Sequence, residues 1–213
     1  MPASAFTPAE QRKVMVPSFR EPRTDVAIDL DASMRLLPAG AAVKGIFFND
    51  VIRRASVAIS EDALAIAAGV KSRRYLAFFD YPYADWMRIA VAAAEALSPR
   101  ATPAFGLREL GRHAYDAFLD THIGRVLLGV LGLDARAVLR NGPKAYAVVL
   151  NFGEITGELV SERVARYRFR DFPGFLETYQ VGVLEGVLAH CKVEGRVMIA
   201  LEDLANAVID VSF

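Results

Sequence analysis

The sequence predicts an α+β fold: a helical N-terminal part, followed by a small antiparallel sheet crossed by a helix. Three observations in the last fifty residues of the chain predict it. Residues 163–170 (RVARYRFR) set Ala165, Tyr167 and Phe169 between arginines, the two-residue period of a strand with one wet face. After Pro173, apolar residues fall at Leu176, Tyr179, Val183, Leu184, Val187 and Leu188, the three-and-four spacing of one helical face. Beyond His190 the period returns to two, through Val197, Ile199 and Leu201 and then Ala207, Ile209, Val211 and Phe213.

Each element has a local reason. Pro173 suits the first turn of the C-terminal helix, where a missing N–H is no loss. Gly182 and Gly186 each cost that helix about 1 kcal/mol relative to alanine, so close packing, with the glycine face on the sheet, is expected to offset them. Glu194-Gly195 reads as a bend before the next strand, and residues 203–205 as a turn. Upstream, residues 1–24 are punctuated by Pro2, Pro8, Pro17 and Pro22, and Thr7-Pro8-Ala9-Glu10 has capping-box spacing. Residues 1–40 read as a partly ordered arm, with an edge strand over 26–30, and residues 41–213 as one domain.

Within that domain, residues 43–59 are the first strongly apolar segment, with Phe47, Val51 and Ile52 helically spaced and Arg53 and Arg54 facing water. Ser60 caps a second helix and Gly69 ends it. Pro82 opens an alanine-rich helix to Leu97, and Thr102-Pro103 starts another whose stripe is Leu107, Leu110, Ala114, Phe118 and Leu119. Thr121 caps a helix with Ile123, Val126, Leu127 and Val130 inward. Asp134 starts a short helix ending near Asn141-Gly142, and Pro143 starts the next. Residues 153–160 read as a strand that turns through Ser161-Glu162 into the arginine-rich one.

Composition narrows the function. In 213 residues, 54% are hydrophobic, enough for a substantial core, while the net charge of zero argues against nucleic-acid binding. One cysteine, Cys191, cannot form an intramolecular disulfide, and the N-terminus shows no continuous apolar signal segment. The most apolar helix, residues 86–97, is interrupted by Arg88 and Glu95 and is too short to span a bilayer. These features point to a cytoplasmic protein.

Several strings carry a resemblance: Val43-Lys44-Gly45-Ile46-Phe47-Phe48-Asn49, Phe79-Asp80-Tyr81-Pro82, Leu107-Arg108-Glu109-Leu110-Gly111-Arg112 and Gly124-Arg125. As a set, covering residue 40 to the end, they resemble an uncharacterised family of proteins of similar length found as many paralogues in myxobacteria. That family is similar in fold to haem-NO-binding domains, vinyl-reductase-type sensory domains and TRAPP-type trafficking subunits. The kinship implies a helical part, then an antiparallel sheet crossed by a helix. Its relatives bind haem, small apolar molecules or protein partners, so it does not choose among these. Two features do not carry over. The proximal histidine of the haem-NO-binding domains goes with a Tyr-x-Ser-x-Arg string for the propionates; here Tyr167-Arg168-Phe169-Arg170 lacks the serine. The acylated cysteine of some TRAPP relatives lies on an early helix, whereas Cys191 is near the other end.

No metal or cofactor is expected from the residues. His113, His122 and His190 show no ligand spacing, and a helix C-terminus accounts for His190. Cys191 reads as a small buried apolar residue, and Asp80 and Asp85 as helix-start carboxylates rather than a catalytic pair. No phosphate loop, nucleophile elbow or dinucleotide fingerprint occurs.

The densest chemistry is aromatic. Residues 73–86 hold Tyr75, Phe78, Phe79, Tyr81, Tyr83 and Trp86. Such residues are commonest as core, with Phe78 and Phe79 anchoring helices to the sheet. They also make the walls of small-molecule pockets. The candidate ligand-binding set is Arg74, Tyr75, Phe79, Tyr81, Tyr83 and Trp86, with Tyr179 from the C-terminal helix and an arginine for an anionic head group. The expected function is a non-enzymatic regulatory or sensory module binding a small, largely apolar ligand or a partner protein. The alternative is a scaffolding homodimer built on residues 86–97 and 121–131. An exposed apolar stripe on either segment favours the dimer, and an enclosed cavity beside Trp86 favours the ligand.

Overall fold

A series of short helices leads into a four-stranded sheet, in the order that the sequence periods announce. The computed structural model describes residues 18–121, 124–126, 129 and 132–213. The elements are α1 (Leu30–Arg35), β1 (Ala42–Lys44), α2 (Gly45–Ala55), α3 (Glu61–Ala67), β2 (Asp80–Pro82), α4 (Tyr83–Leu97), α5 (Pro103–Leu119) and α6 (Ala135–Val149). Then follow β3 (Glu154–Ser161), β4 (Val164–Arg170), a π-helical turn Leu176–Gln180, α7 (Val181–His190), β5 (Arg196–Leu201) and β6 (Ala207–Ser212). The sheet is antiparallel throughout, in the order β3-β4-β6-β5. The fold is α+β, as the sequence predicts. Ala165, Tyr167 and Phe169 of β4 and Ala207, Ile209 and Val211 of β6 are all buried on it.

The described N-terminal residues run along the open edge of this sheet. Arg20 exchanges both backbone hydrogen bonds with Ile199 of β5, each 2.9 Å, which covers part of an edge that would otherwise present unpaired groups. Arg20 also pairs with Glu177, whose Oε1 accepts the Arg23 N–H at 2.8 Å. The edge strand expected over 26–30 does not form. Asp29 accepts the Ala32 N–H at 2.8 Å and starts α1 instead, because a carboxylate at that spacing satisfies an orphan amide. The capping box at Thr7 lies outside the described residues.

Caps in the helical part form where the side chains call for them. Ser60 accepts the Ala63 N–H, Thr102 that of Phe105, and Thr121 that of Gly124. Gly69 ends α3 at φ +63°. Residues 43–59 divide: Val43 joins β1, paired with β2, before α2 begins. Arg54 is not water-facing as expected, because the buried Asp50 carboxylate draws its guanidinium in at 3.0 Å. Phe78 and Phe79 are exposed rather than anchoring the core, since β2 ends their segment at the surface. Val126 is also exposed, while Ile123, Leu127 and Val130 fall outside the described residues. Among the described residues no helix is long and apolar enough to cross a membrane.

Pro173 does not begin the C-terminal helix. Phe175 takes a left-handed conformation, φ 57°, and the helix starts with the π turn before running on as α7. The glycines of α7 do pack closely, but against α5 rather than the sheet. A Cβ on Gly182 would stand 2.2 Å from the Arg108 carbonyl oxygen, and one on Gly186 2.2 Å from that of Arg112. Gly111 of α5 returns the contact, lying against the Tyr179 carbonyl. Three missing Cβ atoms let the two backbones touch.

Glu185 clamps the same seam. Its Oε2 accepts from Arg108 Nε at 3.0 Å and Arg112 Nε at 2.9 Å. Burial pushes this carboxyl up, but hydrogen bonds and charge from the two guanidinium groups outweigh it and hold it below the usual carboxylate range. A carboxyl lowered in the folded state stabilises above its unfolded value and loses that contribution as pH falls through the folded one. Glu185→Gln is therefore expected to cost about 1–2 kcal/mol at pH 7. In urea unfolding the gap to wild type should narrow as pH drops below about 4, near the unperturbed glutamate value. A gap that stays constant with pH would refute the clamp.

Residues 135–149 form one helix, not two. Pro143 sits inside α6, where it leaves the Leu139 carbonyl without its helical N–H. The Tyr167 hydroxyl of β4 donates to that carbonyl. Gly142 makes the room, since a Cβ there would lie 2.3 Å from the Tyr167 hydroxyl oxygen. The helix survives its proline because the sheet supplies the missing donor.

Candidate functional site

Because α4 begins at Tyr83, its first turn places Tyr83 and Trp86 three residues apart, on one helical face. The π turn brings Tyr179 to the same place from the other end of the chain. Trp86 and Tyr179 meet edge to face with ring centroids 4.8 Å apart, and Tyr83 lies 5.0 Å from Trp86. These rings form one wall of a cavity of about 110 Å³. Phe47 of α2, Tyr115 and Phe118 of α5, Asn141 and Tyr146 of α6, Tyr167 of β4, and Gln180 and Leu184 of the last helix are among the other lining residues.

Some polar groups of the wall are paired, while the hydroxyls of Tyr83, Tyr115 and Tyr179 make no hydrogen bond among the described residues. Tyr146 donates to Gln180 Oε1 at 2.7 Å, and Gln180 Nε2 donates to the Gly174 carbonyl at 3.0 Å. Tyr167 is engaged by Leu139. Burial pushes the hydroxyls of Tyr83, Tyr146, Tyr167 and Tyr179 well up, and that of Tyr115 to about 12. The phenols therefore stay neutral at physiological pH, and the described wall contains no ionisable side chain apart from them. One polar atom stands apart. Trp86 Nε1 is buried and has no hydrogen-bond partner among the described residues.

The structure divides the aromatic segment in two. Tyr83, Trp86 and Tyr179 line the cavity. Tyr75 and Tyr81 belong to a separate cluster with Phe48, on which Tyr75 stacks at 4.2 Å. Arg73 lies over both tyrosine rings, at 5.4 and 5.1 Å. Arg74 is exposed beside that cluster, and Phe79 is 63% exposed. Tyr115, Tyr146 and Gln180 are cavity residues that the sequence did not single out as site residues. Of the three only Tyr146 carried a signal, its spacing with Val149 and Leu150 on one helical face, which marks burial but not what the buried face surrounds.

The other candidates sit away from the cavity. Asp80 pairs with Lys44 at 2.8 Å, and Asp85 with Arg73 at 3.2 Å and Arg88 at 3.6 Å, so neither caps α4 as expected. Nearby cations outbid the amides for them. His113 is exposed, His190 ends α7 against the Tyr115 ring, and His122 lies outside the described residues. Cys191 is buried, which pushes its thiol up. Among the described residues no three His, Cys, Asp or Glu side chains gather as a metal site.

In fold the chain is similar to solved H-NOX proteins. It matches an H-NOX protein from S. oneidensis in the Fe(II)NO state with a TM-score of 0.62 and 12% identity, over 79% of this chain and 98% of that one. An oxygen-binding H-NOX domain related to soluble guanylate cyclases matches at 0.61 and 14%, over 80% and 94%. An unliganded Fe(II) H-NOX protein mutant from K. algicida matches at 0.61 and 11%, over 79% and 95%. The haem that this fold implies does not suit the described wall. The wall has no histidine or cysteine to ligate iron and no lysine or arginine to pair a propionate. Its volume of about 110 Å³ also falls short of the roughly 300–1,000 Å³ of cofactor sites. No curated protein matches the chain. The profile of DUF2378, described as a protein of unknown function, matches residues 38–212, and the chain belongs to that family.

Proposed function

We propose that this protein is a non-enzymatic sensory or regulatory module that takes a small, largely apolar molecule into the cavity beside Trp86. The observation that carries the reading is the cavity itself. Its described wall is mostly aromatic and aliphatic and holds no charged group, the chemistry that retains apolar ligands. The volume is of the order of the engineered apolar cavity of about 150 Å³ that holds benzene. The likeness in fold to H-NOX proteins, one of them oxygen-binding, agrees with a sensory role. Of the residues in α4, Glu95 alone is exposed, which favours the ligand over a dimer built on that helix. A protein partner would read the ligand state from the surface, where Leu76, Phe78 and Phe79 stand exposed in one short loop. The module acts in the cytoplasm.

Native mass spectrometry of protein purified gently from its own host tests the reading. The expected spectrum carries an extra mass of a small organic molecule that is lost on denaturation. The double variant Trp86→Ala, Tyr83→Ala is expected to lose that mass. A clean dimer without adduct would favour the homodimer, and an adduct retained by a folded double variant would remove the aromatic site.

A further inference from the structure

The N-terminal residues along the β5 edge are held as a bound peptide is held. None of residues 18–29 is buried, and apart from the pairing of Arg20 with Ile199 they form no helix or strand. Polar contacts fix residues 20–24 in place. Arg108 donates to the Pro22 carbonyl at 3.3 Å, the Thr102 hydroxyl donates to the Thr24 carbonyl, and Glu21 pairs with Arg196. The centre of the site is Glu177. It and Asp50 are the buried carboxylates among the described residues. Asp50 is neutralised within its own helix by Arg53 and Arg54. Glu177 has no such local partner. Among the described residues, every hydrogen bond it accepts comes from the N-terminal segment, two from the Arg20 guanidinium and one from the Arg23 N–H. A buried carboxylate deprived of its cation is strongly destabilising, and a guanidinium fork meets both oxygens at once, so the site calls for arginine. A groove that reads one arginine and otherwise main chain matches recognition by strand addition.

The segment fills this groove incompletely. Ile199 turns its N–H and C=O to Arg20, and by the two-residue period Val197 and Leu201 face the same side. Neither is hydrogen-bonded to the segment. Continuing the antiparallel register from Arg20 and Ile199 puts Pro22 opposite Val197, and proline has no N–H with which to extend the ladder. We infer that the β5 edge and Glu177 form a binding site for an extended segment of a partner protein, with an arginine opposite Ile199 and no proline two residues later, and that residues 18–26 are an internal occupant which this segment displaces. The site is separate from the cavity and stands whether or not the cavity holds a ligand. Glu177 nonetheless belongs to the π turn that carries Tyr179 and Gln180 of the cavity wall, so partner and cavity meet on one turn.

Fluorescence anisotropy with labelled peptides tests the site. The probes are residues 18–26 as they stand, SFREPRTDV, the same peptide with Pro22→Thr, and the same peptide with Arg20→Ala. The target is the full-length variant Arg20→Ala, whose own segment has lost its hold on Glu177. The unaltered peptide is expected to saturate this target and to bind wild type about tenfold more weakly, because there the tethered segment competes at high effective concentration. The Pro22→Thr peptide should bind about fivefold more tightly, the worth of one further ladder hydrogen bond. The peptide without arginine should show no saturable binding, and Glu177→Gln added to the target should weaken the unaltered peptide about tenfold. Absence of saturable binding to the variant, or binding indifferent to the peptide's arginine or to Glu177, overturns the inference. A Pro22→Thr peptide no tighter than the unaltered one overturns the claim that the proline limits the internal occupant. Arg20→Ala leaves a buried carboxylate without its cation, so wild type is also read directly by hydrogen exchange. The Arg20 and Ile199 amides are expected to be protected about tenfold less, or weaker still, than the Ile209 amide of the central strand β6, because the segment opens locally. Equal protection would mean that the segment leaves only on global unfolding, and the site would then never be offered to a partner. Neither readout depends on an adduct in the native mass spectrum, so the partner site and the cavity ligand stand or fall separately.

Discussion

The double substitution Gly182→Ala, Gly186→Ala is expected to destabilise the protein by about 3–5 kcal/mol, although alanine is the better helix former by about 1 kcal/mol per site. The added methyl groups would lie 2.2 Å from the Arg108 and Arg112 carbonyl oxygens, which belong to the backbone of α5 and cannot rotate away. The two helices must separate, and neither α5 nor α7 can do so freely. The Glu185 clamp ties them together, and α7 is buried on most of its circumference between α5 and the sheet. In a chain of this size each kcal/mol lowers Tm by about 2–4 °C, so calorimetry should show a fall on the order of 10 °C. A rise in Tm would mean that the seam is loose and that helix propensity decides. Ligand affinity should fall in parallel, because Gly111 holds the Tyr179 backbone, and Tyr179 is part of the cavity wall.

Tyr167→Phe is expected to cost about 1–3 kcal/mol, more than a hydroxyl at an exposed site, because it strands the Leu139 carbonyl that Pro143 already deprives of its helical donor. Pro143→Ala should then have opposite significance in two backgrounds. In wild type it adds a second donor to a carbonyl that already has one, and the change is small. In the Tyr167→Phe background it restores the lost bond, and about 1–2 kcal/mol of the damage should be recovered. Urea unfolding of the four proteins measures this coupling directly. Strict additivity would show that the tyrosine and the proline are independent, and that α6 tolerates Pro143 for some other reason.

Local sequence carried the elements wherever local physics decides them. Ser60, Thr102 and Thr121 cap helices because their hydroxyls reach the amide three residues on. The period of two in residues 164–170 and 207–212 makes strands, since alternate side chains must point to opposite faces. The α+β class follows from those periods together with the three-and-four spacing after Pro173, which also put Tyr179 on a buried face. What a face is buried against is a different quantity, and periodicity does not contain it. Gly182 and Gly186 announced a close approach, but only the packed chain made α5 the surface approached. Pro143 read as a break because its cost depends on whether a distant donor reaches Leu139, and Tyr167 lies 24 residues further along the chain. The aromatic run from Tyr75 to Trp86 read as one cluster because neighbours in sequence look like neighbours in space. The β1–β2 pairing divides it, leaving Tyr75 and Tyr81 on Phe48 and sending Tyr83 and Trp86 to meet Tyr179. The cavity exists only in that meeting, because a void is set by what five helices and a sheet fail to fill together.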